Sequence, residues 1–202
     1  MAKVVLSGFE PFDGYSINPS AELVKLLHGQ RIHDHSVKGI VLPLDYKKAD
    51  GILKEFISKE KPEYVLCCGQ ANRPVITLEY VGINILNTER ADNYGNKPES
   101  HLIDPNAPAA YFSTLDVHNI VGILKENGIP AGVSYHAGTY GCNWILFSIL
   151  HWLAIGNVQA KAVFVHVPPL PEQSIEKNDS SLATMPLGQE VDALKIIISS
   201  IH

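Results

Sequence analysis

Five short apolar runs, each halted by glycine or proline and followed by a segment of helical period, constrain this chain more than any other feature. The runs are KVVLSG (3–8), SVKGIVLPL (36–44), EYVLCCG (63–69), AGVSYHAG (131–138) and AVFVHVPP (162–169). Apolar runs of this length between turn-forming residues read as buried strands. The helical segments are SAELVKLLHG (20–29), KKADGILKEFISKEK (47–61), VHNIVGILKENG (117–128), NWILFSILHWLAIG (143–156) and GQEVDALKIIISS (188–200). Such alternation predicts a three-layer α/β/α fold with a mostly parallel, twisted central sheet. ITLEYVGINIL (76–86) alternates irregularly around Gly82 and predicts a further extended pair or hairpin. The polar stretches 89–108 and 174–186 are expected to be long loops.

With 202 residues, 46% of them hydrophobic, the chain has the material for one domain over 1–202, and no composition break divides it. Sixteen Lys and Arg against 21 Asp and Glu leave no basic excess for a phosphate backbone or an anionic membrane. Nucleic acid is therefore not an expected partner. No apolar run approaches ~18 residues, so no membrane span is expected. MAKVVLSGFEPFDG is not built as a secretory signal, and a cytoplasmic protein is the expectation.

Three cysteines, Cys67, Cys68 and Cys142, do not make a disulfide framework or a tetrahedral zinc site. Cys67 and Cys68 close an apolar strand and are expected to be packing residues. Cys142 follows a glycine-rich turn, HAGTYG, and precedes an apolar helix. At a helix start its sulfur would meet free N–H groups and the positive end of the dipole, which favour thiolate. The amides of Gly141 and Cys142 could also hold an oxyanion. Position alone does not separate this reading from that of a small side chain opening a buried helix.

Two further residues sit oddly. His166 lies in the apolar strand VFVHVPP, and Glu79 stands between Leu78 and Tyr80 in ITLEYV. A carboxylate among apolar neighbours must be paired or have a raised pKa. Each alone can be a hydrogen-bonded core residue; together with Cys142 they could form nucleophile, base and orienting carboxylate. His33 and His35 form an H-x-H with no third ligand nearby and are assigned to a solvated loop. His101, His118, His136 and His151 carry no comparable argument.

GFEPFDG with NPS (8–14, 18–20), ITLE (76–79), APAAYFSTL (107–115), GIPAGVSYHAGTYGCN (128–143) and HVPPLPEQ (166–173) together resemble the signature segments of the pyroglutamyl peptidase I family. Several separated motifs in one order are far more specific than any single pattern. The resemblance places a catalytic triad on Glu79, Cys142 and His166. It implies removal of an N-terminal pyroglutamyl residue from peptides by a cysteine mechanism, without metal or cofactor, in a homo-oligomer (dimer or tetramer). Phe9 and Phe12 would wall a slot for the small neutral lactam, and Gln70 and Asn18 would offer amides. Asn18 also reads as a helix N-cap ahead of Pro19.

The chain departs from the family's pattern at several places. QANRPVITLEY is one residue shorter than the family segment, with Tyr80 where arginine is common. The family's later arginine falls at Glu89 in an ungapped reading, with Arg90 one position on. Tyr140 and Gly141 replace bulkier residues, which predicts a wider pocket. Two other readings remain: an amidohydrolase acting on a different small cyclic or N-blocked amide, and a silent binding protein on the same scaffold.

Overall fold

The computed structural model describes residues 1–156 and 158–202. Its strands are β1 (Ala2–Phe9), β2 (Arg31–Ile32), β3 (His35–Leu42), β4 (Tyr64–Gln70), β5 (Ile76–Glu79), β6 (Val81–Ile83), β7 (Ala110–Phe112), β8 (Ala131–Ser134) and β9 (Lys161–Val167). Its helices are α1 (Pro19–Leu27), α2 (Ala49–Glu60), α3 (Val117–Glu126), α4 (Gly141–Ile155), α5 (Pro171–Lys177) and α6 (Leu187–Ser200). The expected α/β architecture is present. A central sheet in the order β2-β3-β1-β4-β9-β5-β8 carries helices on both faces. Leu23 and Leu27 of α1, Leu124 of α3 and Leu194 and Ile197 of α6 pack on one face; Leu53 of α2 and Ile145 and Ile149 of α4 pack on the other.

The sheet is mostly parallel, as expected, with one reversal inside it. β3, β1, β4 and β9 run parallel, but β5 is antiparallel to β9 and parallel to β8. Residues 71–75 between β4 and β5 are too few for a parallel crossover, which takes about a dozen or more, so the chain rounds the end of β9 and runs back. The carboxyl end of β8 consequently lies at the opposite edge from those of β1, β4 and β9. The strand expected over 131–138 stops at Ser134, and the following residues return along the molecule to reach the start of α4.

The stretch 76–86 is not a hairpin. β5 joins the main sheet, whereas β6 pairs antiparallel with β7 in a separate two-stranded sheet packed on α4. With the main sheet on one side and this ribbon on the other, α4 is apolar almost all round, and Trp144, Ile145, Leu146, Phe147, Ile149 and Leu150 are buried. Asn143, fully buried in its first turn, accepts from the Ile83 N–H (2.9 Å) and donates to the carbonyls of Ile83 (2.9 Å) and Ile85 (2.8 Å). Two smaller expectations also change. The loop expected over 174–186 begins inside α5, and His35, expected in a solvated loop, opens β3, is buried and meets Tyr64 edge-on. Among the described residues no helix is long and apolar enough to cross a membrane.

Candidate active site

The chain passes from β1 to β3 on one side of the sheet and to β4 on the other, which opens a crevice beyond the carboxyl ends of β1 and β4. A cavity of about 330 Å³ occupies it, bounded by Phe9, Phe12 and Leu44, by Gln70 and Arg73, by Tyr140 and Gly141, and by Arg90. Cys142 and His166 both line this cavity.

Three neighbouring strands bring the reactive groups onto one face. Gly69 of β4 is paired in register with His166 of β9, and His166 is paired with Thr77 of β5. Because side chains alternate with period two, Thr77, Glu79, Phe164 and His166 all point toward α4. The Cys142 sulfur comes down on them from above: a Cβ placed on Gly69 would lie 2.8 Å from Cys142 Sγ and 2.8 Å from Phe164 Cζ. Only a residue without a side chain leaves room for the sulfur against the strand. Cys142 is the second residue of α4, where helical amides lack intrahelical acceptors, and Gly141 and Cys142 both border the cavity.

His166 Nδ1 donates to Glu79 Oε1 at 2.7 Å, with both side chains buried. A carboxylate acceptor at Nδ1 keeps the proton there and leaves the Nε2 lone pair free. Arg73 Nη1 donates to the same Oε1 at 2.6 Å, and Glu79 Oε2 is buried without a partner. Burial alone would raise the Glu79 carboxyl, but the His166 hydrogen bond and charge, the Ser134 hydroxyl and Arg73 outweigh it and hold the group below its usual range. Burial pushes the His166 imidazole below its usual value; Glu79 pulls it back up and Arg73 adds to the depression. Burial pushes the Cys142 thiol up to about 12, with Glu79 adding and Arg73 and the residue's own N–H opposing. Desolvation thus opposes the thiolate that the helix start favours.

Of the pocket residues expected from sequence, Phe9, Phe12, Gln70, Arg90, Tyr140 and Gly141 border the cavity. Phe9 ends β1 rather than lying in the loop beyond it. Asn18 is not brought to the cavity. It is buried as the N-cap of α1, accepting from the Ser20 N–H (3.0 Å) and hydroxyl (2.8 Å) and donating to the Glu10 carbonyl (3.0 Å). Its cap role consumes the amide that the sequence offers to a ligand. Arg90 pairs with Asp13 at 3.3 Å, with both groups well exposed. Leu44 Cδ1 stands 2.7 Å from where a Cβ on Gly141 would be, so this glycine lets Leu44 close in beside the start of α4.

Sequence reasoning missed Gln173, Arg73 and His136. Gln173 is fully buried and donates to Gln70 Oε1 (2.9 Å) while accepting from the Leu170 N–H (2.8 Å), so the Gln70 NH₂ is left free to donate. The amide that ends HVPPLPEQ was visible, but nothing local says that it reaches residue 70. Among the described residues no group of three or more His, Cys, Asp and Glu is placed to hold a metal ion.

Comparison with known proteins finds relatives along nearly the whole chain. The family model described as pyroglutamyl peptidase matches residues 2–202. A pyrrolidone-carboxylate peptidase of Bacillus cereus is 42% identical over 195 residues, covering 95% of this chain and 91% of the relative. The solved pyrrolidone carboxyl peptidase from Thermococcus litoralis superposes with a TM-score of 0.94 at 39% identity, over 98% of this chain and 92% of that one. Pyroglutamyl peptidase I from Bacillus amyloliquefaciens gives 0.92 at 37% identity, over 97% and 92%. A thiol, an imidazole and a carboxylate meeting at the edge of an α/β sheet are the equipment of a cysteine-type hydrolase, and the matched family is one of peptidases. The chain belongs to the pyroglutamyl peptidase family.

Proposed function

We propose that Cys142, His166 and Glu79 are the nucleophile, the acid–base group and the orienting carboxylate of a peptidase that removes N-terminal pyroglutamyl residues. The observation that carries the assignment is the buried Glu79–His166 hydrogen bond facing the same cavity as the Cys142 sulfur. His166 Nε2 takes the thiol proton and the sulfur attacks the pyroglutamyl carbonyl. The amides of Gly141 and Cys142 receive the oxyanion. His166 returns its proton to the leaving amine and then draws one from the water that hydrolyses the thioester.

The cavity suits a small neutral lactam. Phe9, Phe12 and Leu44 supply apolar wall, and the free Gln70 NH₂ supplies a donor for the ring carbonyl. Tyr140 and Arg90 complete the cavity's rim. The proposal includes one catalytic domain over 1–202, a cytoplasmic setting and a homo-oligomer, which sedimentation of the purified protein tests.

Release of a fluorescent amine from a pyroglutamyl amide by the reduced protein tests the function, with a prolyl amide and Cys142→Ala as controls. Turnover that spares the prolyl compound and disappears in Cys142→Ala is expected. Turnover surviving in Cys142→Ala, or none in the parent protein, overturns the assignment.

A further inference from the structure

Arg73 lies in the short link between β4 and β5, fixed in place by its own N–H on the Ala71 carbonyl (2.7 Å) and by Pro74, which restricts the residue before it. Its guanidinium is divided between two parts of the site. Nη1 donates to Glu79 Oε1 and to Thr77 Oγ1, each at 2.6 Å. Nη2 donates to the His136 carbonyl at 2.8 Å. His136 belongs to the segment that returns from the far end of β8 and leads into Tyr140, Gly141 and Cys142. The His136 ring in turn accepts the Gly138 N–H at 2.9 Å, so the segment is shaped from within and tied down at one carbonyl.

Two independent requirements meet at this one side chain. Glu79 must stay ionised in a buried place, yet its Oε2 has no partner, so its stabilising hydrogen bonds all come to Oε1, from His166, Arg73 and, at 3.3 Å, the Thr77 hydroxyl. The segment carrying the nucleophile arrives from a strand that ends at the other edge of the sheet, so β8 itself does not set where it lies. A planar fork with several donors in fixed directions can serve both; an ammonium cannot.

We propose that Arg73 is a positioning residue that sets the register between the two halves of the site, holding the Glu79–His166 pair with one nitrogen and the segment leading to Cys142 with the other. The inference deepens the peptidase reading and rests on it for its kinetic arm. The charged and titratable groups facing His166 are Glu79 from β5, Arg73 from the β4–β5 link and the Cys142 thiol from α4; Asp13 and Arg90 stand across the cavity. Loss of the Arg73 charge relieves the depression of His166 and removes an opposing influence from Cys142, so the acid limb of activity and the alkaline onset of thiol reactivity both move up in pH.

Arg73→Met and Arg73→Lys test the proposal, with kcat and KM for a pyroglutamyl amide measured against pH and each rate normalised to correctly folded protein by near-UV circular dichroism. Iodoacetamide alkylation of Cys142 against pH forms a second arm. A misplacement of reacting groups by about 1 Å costs on the order of a hundredfold, so Arg73→Met is expected to lose about that much in kcat with its acid limb shifted upward. Arg73→Lys, keeping charge without the fork, is expected to hold the limb in place and still lose about tenfold in kcat. In the alkylation arm Arg73→Met reacts more slowly than the parent at one alkaline pH, a result that needs no peptidase activity. If the parent lacks turnover, the peptidase reading fails while alkylation still decides Arg73. Parent-like limb, kcat and alkylation in Arg73→Met overturn the proposal, and so does equal recovery of every parameter by lysine.

Discussion

Cys142 Sγ rests directly over Gly69, so close that a methyl group on the glycine would stand 2.8 Å from the sulfur. The strand residue beneath the thiol is paired with His166, and this ties the placement of the nucleophile to the backbone of the base's own neighbour. Gly69→Ala is therefore expected to displace the sulfur or Phe164 and to cost about 1–3 kcal/mol of stability by overpacking. Activity should fall by more than the folded fraction does. Chemical denaturation alongside kcat/KM checks this, and an alanine variant with parent activity would contradict the geometry.

Acid should weaken both function and stability, with the same sign. Burial sets His166 below its usual 6.5, so below that pH the unfolded chain binds a proton that the folded site resists; stability present above about 6.5 is lost as pH falls toward the folded value. Glu79, held below its usual 4.5, adds a loss as pH falls through its own lower folded value. The acid limb of kcat/KM is expected below pH 6.5 and the urea midpoint is expected to drop from pH 7 to pH 5. A limb above 6.5 would show a base that is protonated at rest.

Glu190 behaves oppositely. It lies in the first turn of α6 with both carboxyl oxygens buried and without partners, and burial pushes it up to about 9. Between 4.5 and 9 the folded state binds the proton that the unfolded chain releases, so this residue's effect grows more unfavourable as pH rises, by at most ~1.4 kcal/mol per unit. Glu190→Gln should flatten that slope and raise the melting temperature at pH 8 more than at pH 5. A parallel gain at both pH values would place the effect elsewhere.

Asn143 ties the nucleophile's helix to β6 with three hydrogen bonds to the main chain. Asn143→Ala strands those buried groups, for an expected loss of roughly 2–4 kcal/mol, and slows turnover per folded molecule because α4 carries Cys142. Asn18→Ala, by contrast, is expected to cost about 1 kcal/mol through the lost cap and to leave KM nearly unchanged. Comparing the two by urea titration and steady-state kinetics separates anchoring of the nucleophile's helix from capping of a helix that carries no cavity residue.

The layers of the fold were legible in sequence because helical and strand periods are local properties of the chain. The cap at Asn18 was legible for the same reason, through Pro19 and the apolar run after it. The parallel run of most strands was legible too, but the reversal at β5 was not, since it depends on how few residues separate β4 from β5 and on which strand comes between them. The oddity of Glu79 and His166 could be seen as polar groups in apolar runs, but their contact spans 87 residues and leaves no local pattern. Arg73 and Gln173 act on partners chosen by topology, and Glu190 occupies a helix start where a carboxylate is ordinarily solvent-facing. His136 contributes a main-chain carbonyl, which side-chain chemistry cannot reveal.

The order β4-β9-β5 means that the last strand to be synthesised fills the middle of the sheet. Until residues 161–167 take their place, β4 and β5 lack the strand that pairs with both of them, a slot with two unsatisfied edges. Insertion of that strand seals the slot and delivers His166 in the same event. A growing polypeptide thus carries its thiol, unaccompanied, until the sheet is whole.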